Sequence, residues 1–297
     1  MPRDDRFDLL LAWFFVIVWG SGYLASKAGM QHAAPFTFLS LRYAFGVLCL
    51  GAWLLVSRPR WPASKREVFH ICVAGLLMHA INLGGSHYAQ YLGMSAGITA
   101  LLLATQPLFT ALFASCMLGE KLDGRQWLGM LVALIGVSLV VWYKVNVQAG
   151  TLASFMAVAI SLAAITSGTL YQRAFCRQVD LRSAAFIQFM VSLAVLAPLA
   201  LGIEGFVVRW DWTLIAAILF LVIFASILAV NVLHTLMRRG QATRVTSLFF
   251  LTPIVAVLLE WAMFGVVPTW LTATGIVVTC AGVALVTVRP RGTAAAR

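Results

Sequence analysis

The sequence predicts an all-α integral membrane protein of ten transmembrane helices, arranged as two inverted five-helix repeats with both termini in the cytoplasm. Three observations predict it. The first is composition: of 297 residues, 62% are hydrophobic and only 10% are charged, against roughly 45–50% and 25% in soluble domains. The second is the distribution of basic residues along the chain. The third is a gapless internal match between its two halves.

The apolar residues fall into separate runs, each close to the roughly 20 residues that span a bilayer as helix. They read as spans over 8–28, 36–57, 68–92, 96–118, 125–143, 150–172, 183–202, 212–236, 243–264 and 269–288. Short polar breaks separate them, such as Gly119-Glu120-Lys121-Leu122-Asp123. No strand-like alternation suggests an outer-membrane barrel. The first span has a second reading, a signal peptide. Asp4, Asp5 and Asp8 are atypical of a basic n-region, and no cleavage site stands out. The third span is unusual in holding two histidines, His79 and His87.

The net charge of +11 is a topology signal. With the first end cytoplasmic, one set of polar segments holds 17 basic residues, among them Arg58, Arg60, Lys65, Arg66, Arg173, Arg177 and Arg182. The opposite set holds only Lys144 and Arg209, while Lys27 and Arg42 lie within or at the ends of helices. This is the positive-inside bias. It accounts for the basic balance without nucleic acid as a partner. It also requires an even number of spans. Five cysteines, none in an outer loop and none in a CxxC pair, read as reduced apolar residues.

The repeat appears on shifting the chain by 146 residues. Ser21-Gly22-x-Leu24-x-x-Lys27-Ala28 then aligns with Ser167-Gly168-x-Leu170-x-x-Arg173-Ala174. Pro107 aligns with Pro253, Gly119 with Gly265, Gly129 with Gly275 and Gly136 with Gly282. The match is weak over the second and third spans. The halves are 1–146 and 147–297. An odd number of spans per repeat makes the second enter the membrane from the opposite side. Such halves suit alternating access to a midplane site. The glycines of the fifth and tenth spans, seven residues apart, are expected to let those helices pack closely.

The chain resembles the drug/metabolite transporter superfamily in its EamA-like ten-helix branch. The resemblance rests on Trp19-Gly20-Ser21-Gly22-Tyr23, Leu41-Arg42-Tyr43, Tyr91-Leu92 with Ala96, and Pro107-Leu108-Phe109-Thr110-Ala111-Leu112. It continues through Leu118-Gly119-Glu120-Lys121, Gln126-Trp127-Leu128-Gly129 and Gly136-Val137. One departure is Val266, where the family carries an acid after the glycine of the second repeat. Within the superfamily the chain looks most like the YddG-type amino-acid exporters of bacterial inner membranes. The resemblance implies a transporter exporting amino acids and related small metabolites, without a cofactor. An exporter of drugs or organic cations from the same superfamily is the alternative. A membrane-embedded enzyme is a third reading, and no catalytic constellation supports it.

Candidate site residues follow from intramembrane polarity and helix breaks. Pro107 and Pro253 fall near the middle of the fourth and ninth spans, where a proline frees the carbonyl four residues back, that of Leu103 or Phe249. Matched interruptions in inverted halves point to a transporter site; the plainer reading is a packing kink. Gln106, Ser247 and Thr252 are nearby polar candidates. On the third span His79, Asn82, Ser86 and Gln90 share a face, with Leu83 alongside. They read either as substrate contacts or as interhelical glue. His87 and His234 lean toward glue. Trp19, before Gly20-Ser21-Gly22, is a candidate apolar or cation–π wall. Glu260 is the one acid expected inside a span, in one layer with Lys27 and Arg42. The three form a candidate gating or coupling set. No metal-ligand spacing occurs. Gly20-x-Gly22-x-x-Ala25 sits within an apolar helix rather than between strand and helix, so it is no dinucleotide fingerprint.

Overall fold

A computed structural model describes residues 5–94, 99, 102, 103, 105–118, 123–145, 151–229, 231, 232, 235, 236, 247–264, 267 and 269–287. The first half contains α1 (Asp5–Gly29), α2 (Pro35–Ser57) and α3 (Lys65–Gly75). A π-helical segment, Leu76–Ile81, joins α3 without a break to α4 (Asn82–Tyr91). Then come α5 (Gln106–Leu118) and α6 (Gly124–Val145). The second half contains α7 (Leu152–Phe175), α8 (Leu181–Glu204) and α9 (Trp212–Phe220), which runs into a π segment, Leu221–Ala229. A 3₁₀ turn, Ser247–Leu251, leads into α10 (Thr252–Phe264), and α11 is Trp270–Thr287.

Among the described residues, six helices are long and apolar enough to cross a membrane: Phe7–Gly29, Pro35–Ser57, Lys65–Tyr91, Leu152–Phe175, Leu181–Glu204 and Trp212–Ala229. Residues 95–98, 119–122 and 241–246 lie outside the description, and with them Ala96 and Glu120.

The polar breaks carry the residues that start each helix. Ser64 accepts from the Glu67 amide, and Glu67 Oε2 in turn accepts from the Ala63 amide. Asp123 and Gln126 cap α6 reciprocally. Thr151, Asp180 and Asp211 cap α7, α8 and α9. Each supplies an oxygen to first-turn amides that have no partner within the helix. Helix α2 is different. Its N-cap residue, Ala34, has no capping side chain. Instead Glu204, the last residue of α8, accepts from the amides of Phe36 at 2.9 Å and Thr37 at 2.7 Å and from the Thr37 hydroxyl at 2.7 Å.

That contact also fixes direction. The start of α2 meets the end of α8, while at the other end Arg182 donates to the Ser57 carbonyl and Ser183 to that of Arg60. So α2 and α8 run antiparallel. So do α6 and α11: a Cβ added to Gly129 would lie 2.8 Å from the Gly282 carbonyl oxygen, and one on Gly136 would lie 2.8 Å from that of Gly275. The close packing expected of these four glycines is present.

The 146-residue offset governs the elements as well as the residues. Gln106–Leu118 and Thr252–Phe264 match at both ends. The two π segments overlap under the same shift, although the sequence match there is weak. Packing repeats too: α1 rests on α10 as α7 rests on α5, and α3 packs on α8 as α9 packs on α2.

Candidate functional site

Two structural features are candidates for the site, a pair of helix breaks and a buried polar layer. At the first break, Thr105 is a turn residue whose hydroxyl donates to the Leu102 carbonyl, and α5 restarts at Gln106. Pro107 is therefore the second residue of a helix and not the centre of a kinked one. Pro253 is likewise the second residue of α10, after the 3₁₀ turn. Of the two sequence readings, an interruption or a packing kink, a proline at a helix start corresponds to the first. A proline is well tolerated there because a first-turn amide lacks an intrahelical acceptor.

Each break faces the first helix of the other half. Gly20 of α1 lies directly on the start of α10, where a Cβ would come 2.8 Å from the Thr252 carbonyl oxygen. Trp19 is next to it, half-buried, with its ring 5.2 Å from that of Phe15. Gln106 reaches Thr169 of α7 across 3.5 Å. Leu103 packs on the cluster of Ala89, Met94 and Val158. Thr252 is buried. Ser247, Phe249 and Pro253 lie on described backbone, but their side chains are outside the description, as is that of Glu260 in α10.

The polar layer centres on α2 and α8. Arg42 and Gln188 are equivalent under the 146-residue shift, as are Tyr43 and Phe189. Each polar member lies at or beside the π segment of the opposite half. Arg42 Nη2 donates to Ser226 Oγ at 2.9 Å, and Gln188 lies against Gly75, the residue before the other π segment, where a Cβ would come 2.7 Å from the Gln188 Cα. Gln188 also reaches Gln172 on α7. Between them the rings of Tyr43 and Phe189 meet edge-on at 5.1 Å, and His79 stands edge-on to both, at 5.9 and 5.3 Å. A π turn holds one extra residue per hydrogen-bonded ring, and such segments recur at functional sites.

The predicted stripe on the third span therefore divides. His79 faces α2 and α8. Asn82 faces α7, where Ser161 Oγ donates to its carbonyl at 2.7 Å and lies 2.9 Å from its Oδ1. Ser86 lies 3.1 Å from the Leu83 carbonyl oxygen and 3.3 Å from His87 Nδ1, and Gln90 donates to the Ser86 carbonyl. Leu83 packs in the core around Tyr43 and Phe189. His87 is buried against Phe38, ring centroids 6.4 Å apart. Of the expected gating set, Lys27 is exposed at the end of α1 and Arg42 is buried on Ser226. His234 lies outside the described residues.

Gln188, Ser226 and Tyr43 were not candidates from sequence. The signal that finds Gln188 is its register with Arg42, which becomes visible only when position, not residue type, is compared. Among the described residues no group of three His, Cys, Asp or Glu side chains is arranged to hold a metal.

Comparison with known proteins bears on what this arrangement serves. The EamA-like transporter family matches the chain twice, over residues 6–142 and 151–288. A probable amino-acid metabolite efflux pump of Salmonella typhimurium is 25% identical over 95% of this chain and 94% of its own length. A probable amino-acid metabolite efflux pump of Escherichia coli is 27% identical, covering 84% and 85%. An uncharacterized inner membrane transporter of Escherichia coli, YedA, is 27% identical, covering 88% and 90%. A solved crystal structure superposes with a TM-score of 0.77 at 19% identity, over 95% of this chain and 96% of that one. It carries the fold alone.

Proposed function

Because the chain belongs to the EamA-like transporter family, we propose that it exports amino acids and related small metabolites across a bacterial inner membrane by alternating access. Ten transmembrane helices form two inverted repeats, residues 1–146 and 147–297, and both termini face the cytoplasm. The observation that carries the mechanism is the antiparallel run of equivalent helices: α2 against α8 and α6 against α11. Equivalent helices that run oppositely are what an inverted repeat requires, and halves so related can exchange conformations around a midplane site.

The site lies between the two breaks and the polar layer. Trp19, His79, Gln106 and Thr252 border it, with Leu103, Leu83, Ser86, Ser247, Phe249 and the two prolines close by. Asn82 also belongs to this region, through the Ser161 contact that holds the third span to α7. Lys27, Arg42 and Glu260 act at its outer side in gating or coupling. The efflux pumps similar to this chain favour amino-acid metabolites as its substrates.

Counterflow in proteoliposomes tests the reading. Unlabelled amino acid trapped inside is expected to drive transient uptake of the labelled compound, and the labelled compound is recovered unchanged. No exchange across a panel of amino acids and their metabolites would refute the substrate assignment.

A further inference from the structure

We propose that the buried guanidinium of Arg42, beyond its part in gating, is an anion site that receives the carboxylate of the exported metabolite as it passes. The inference rests on the transport reading above and narrows its substrate class to carboxylates, away from organic cations.

Arg42 sits within α2 and is 9% exposed. A charge so placed in a membrane protein is costly unless something compensates it. Ser226, its hydrogen-bond partner, is neutral. Its Nε has no partner among the described residues. Among the described carboxylates, Glu204 is engaged at the start of α2, Asp180 on Arg182 and Asp211 at the start of α9; the Glu260 side chain lies outside the description. Among the described residues the guanidinium thus keeps an unused donor.

The other half of the molecule shows that packing does not require this charge. The position equivalent to Arg42 is Gln188, equally buried, neutral, and hydrogen-bonded to Gln172. A neutral amide therefore fills the equivalent place, beside the start of the other π segment. What arginine adds is charge and a planar fork that fits the two oxygens of a carboxylate.

Six buried side-chain polar atoms lack a partner among the described residues, and two are on successive residues of α2: Arg42 Nε and Tyr43 Oη. An anion at Arg42 would answer its charge and its unpartnered Nε together.

The test compares each amino acid with its amide, which keeps the amine and loses the carboxylate, as competitors in counterflow. In the wild type the acid is expected to compete at least about tenfold better, the loss expected of one charge-assisted hydrogen bond. In Arg42→Gln, which copies the other half, the two should fall within about twofold. A preference that persists in Arg42→Gln, or a wild type that accepts acid and amide alike, overturns the proposal while leaving transport intact. If no amino acid exchanges, the function reading fails separately, and melting of the purified full-length protein decides this one. Stabilisation by acetate, absent with chloride and lost in Arg42→Gln, supports a carboxylate site. Equal stabilisation by chloride, or none by either, overturns it. Should Arg42→Gln fail to fold, Ser226→Ala, which frees Nη2 and keeps the charge, is expected to retain the preference for acid. Its loss there overturns the proposal.

Discussion

At the scale of single residues, polar groups that look alike in the sequence have separate roles. His79 and Asn82 share a predicted helix face, yet one contacts α2 and α8 and the other is bonded to Ser161 of α7. Asn82→Ala should therefore lower stability by about 0.6 kcal/mol, a typical side-chain hydrogen bond within a membrane, with Ser161→Ala giving a similar loss and the double variant less than the sum. His79→Ala should instead raise the KM for counterflow while melting changes little. If the two substitutions give indistinguishable kinetics and melting, the separation of glue from site is wrong. Outside the membrane, Asp180 makes a sharper case. The Arg182 side chain hydrogen-bonds its carboxylate, the Arg182 and Arg60 amides add to this, and the carboxyl is held down at about 2. A depressed folded-state value means the contribution is complete above the ordinary value of 3.8 and disappears as pH falls through about 2. Detergent-solubilised wild type should lose melting temperature across that window faster than Asp180→Asn does. Parallel curves would show that the Asp180–Arg182 pair does not stabilise the fold.

At the scale of elements, what the sequence made legible depends on how each feature is encoded. Prolines and glycines are encoded by type, because only these residues fit certain backbone positions. Pro107 with Pro253 and Gly129 with Gly275 therefore announced both the repeat and the α6–α11 contact. The π segments have no residue signature. Leu76–Ile81 and Leu221–Ala229 are ordinary apolar sequence, and the extra residue is accommodated by packing against α2 and α8. This is why the third and eighth spans looked unrelated although their geometry corresponds. The prolines read from sequence as interruptions or as packing kinks near mid-span; sequence does not show that each is the second residue of its helix. The break has a consequence for substitution. At the second helical position Ala is sterically accepted, so Pro107→Ala and Pro253→Ala should each cost only about 0.4–1 kcal/mol, through the freer unfolded chain. Alanine restores an amide that can continue the helix backward. The double variant should then slow counterflow about tenfold, equivalent to about 1.4 kcal/mol on the barrier. Unchanged flux would remove the breaks from the mechanism.

At the scale of the whole molecule, the 146-residue correspondence holds in the order of the described helices and is broken in chemistry, and the broken places separate the two halves. The α1–α10 contact is closed by Gly20, whose hydrogen lets the Thr252 carbonyl approach. The equivalent α7–α5 contact has Thr166 at the position of Gly20, buried and with its hydroxyl unpartnered among the described residues. In an alternating-access cycle these two contacts exchange roles, one opening as the other closes. A bulky residue should therefore act oppositely at the two sites. Gly20→Leu forces α1 from α10 and favours the state in which that contact is open. Thr166→Leu does the same to α7 and α5 and favours the other state. Single cysteines introduced at residues 31 and 178, in the connections after α1 and α7, report the two faces by labelling with an impermeant thiol reagent in oriented vesicles. The expectation is opposite shifts: the variant that raises labelling at one face lowers it at the other, and both slow net exchange. Shifts of the same sign would mean that the halves move together, and the exchange of conformations between them would have to be abandoned.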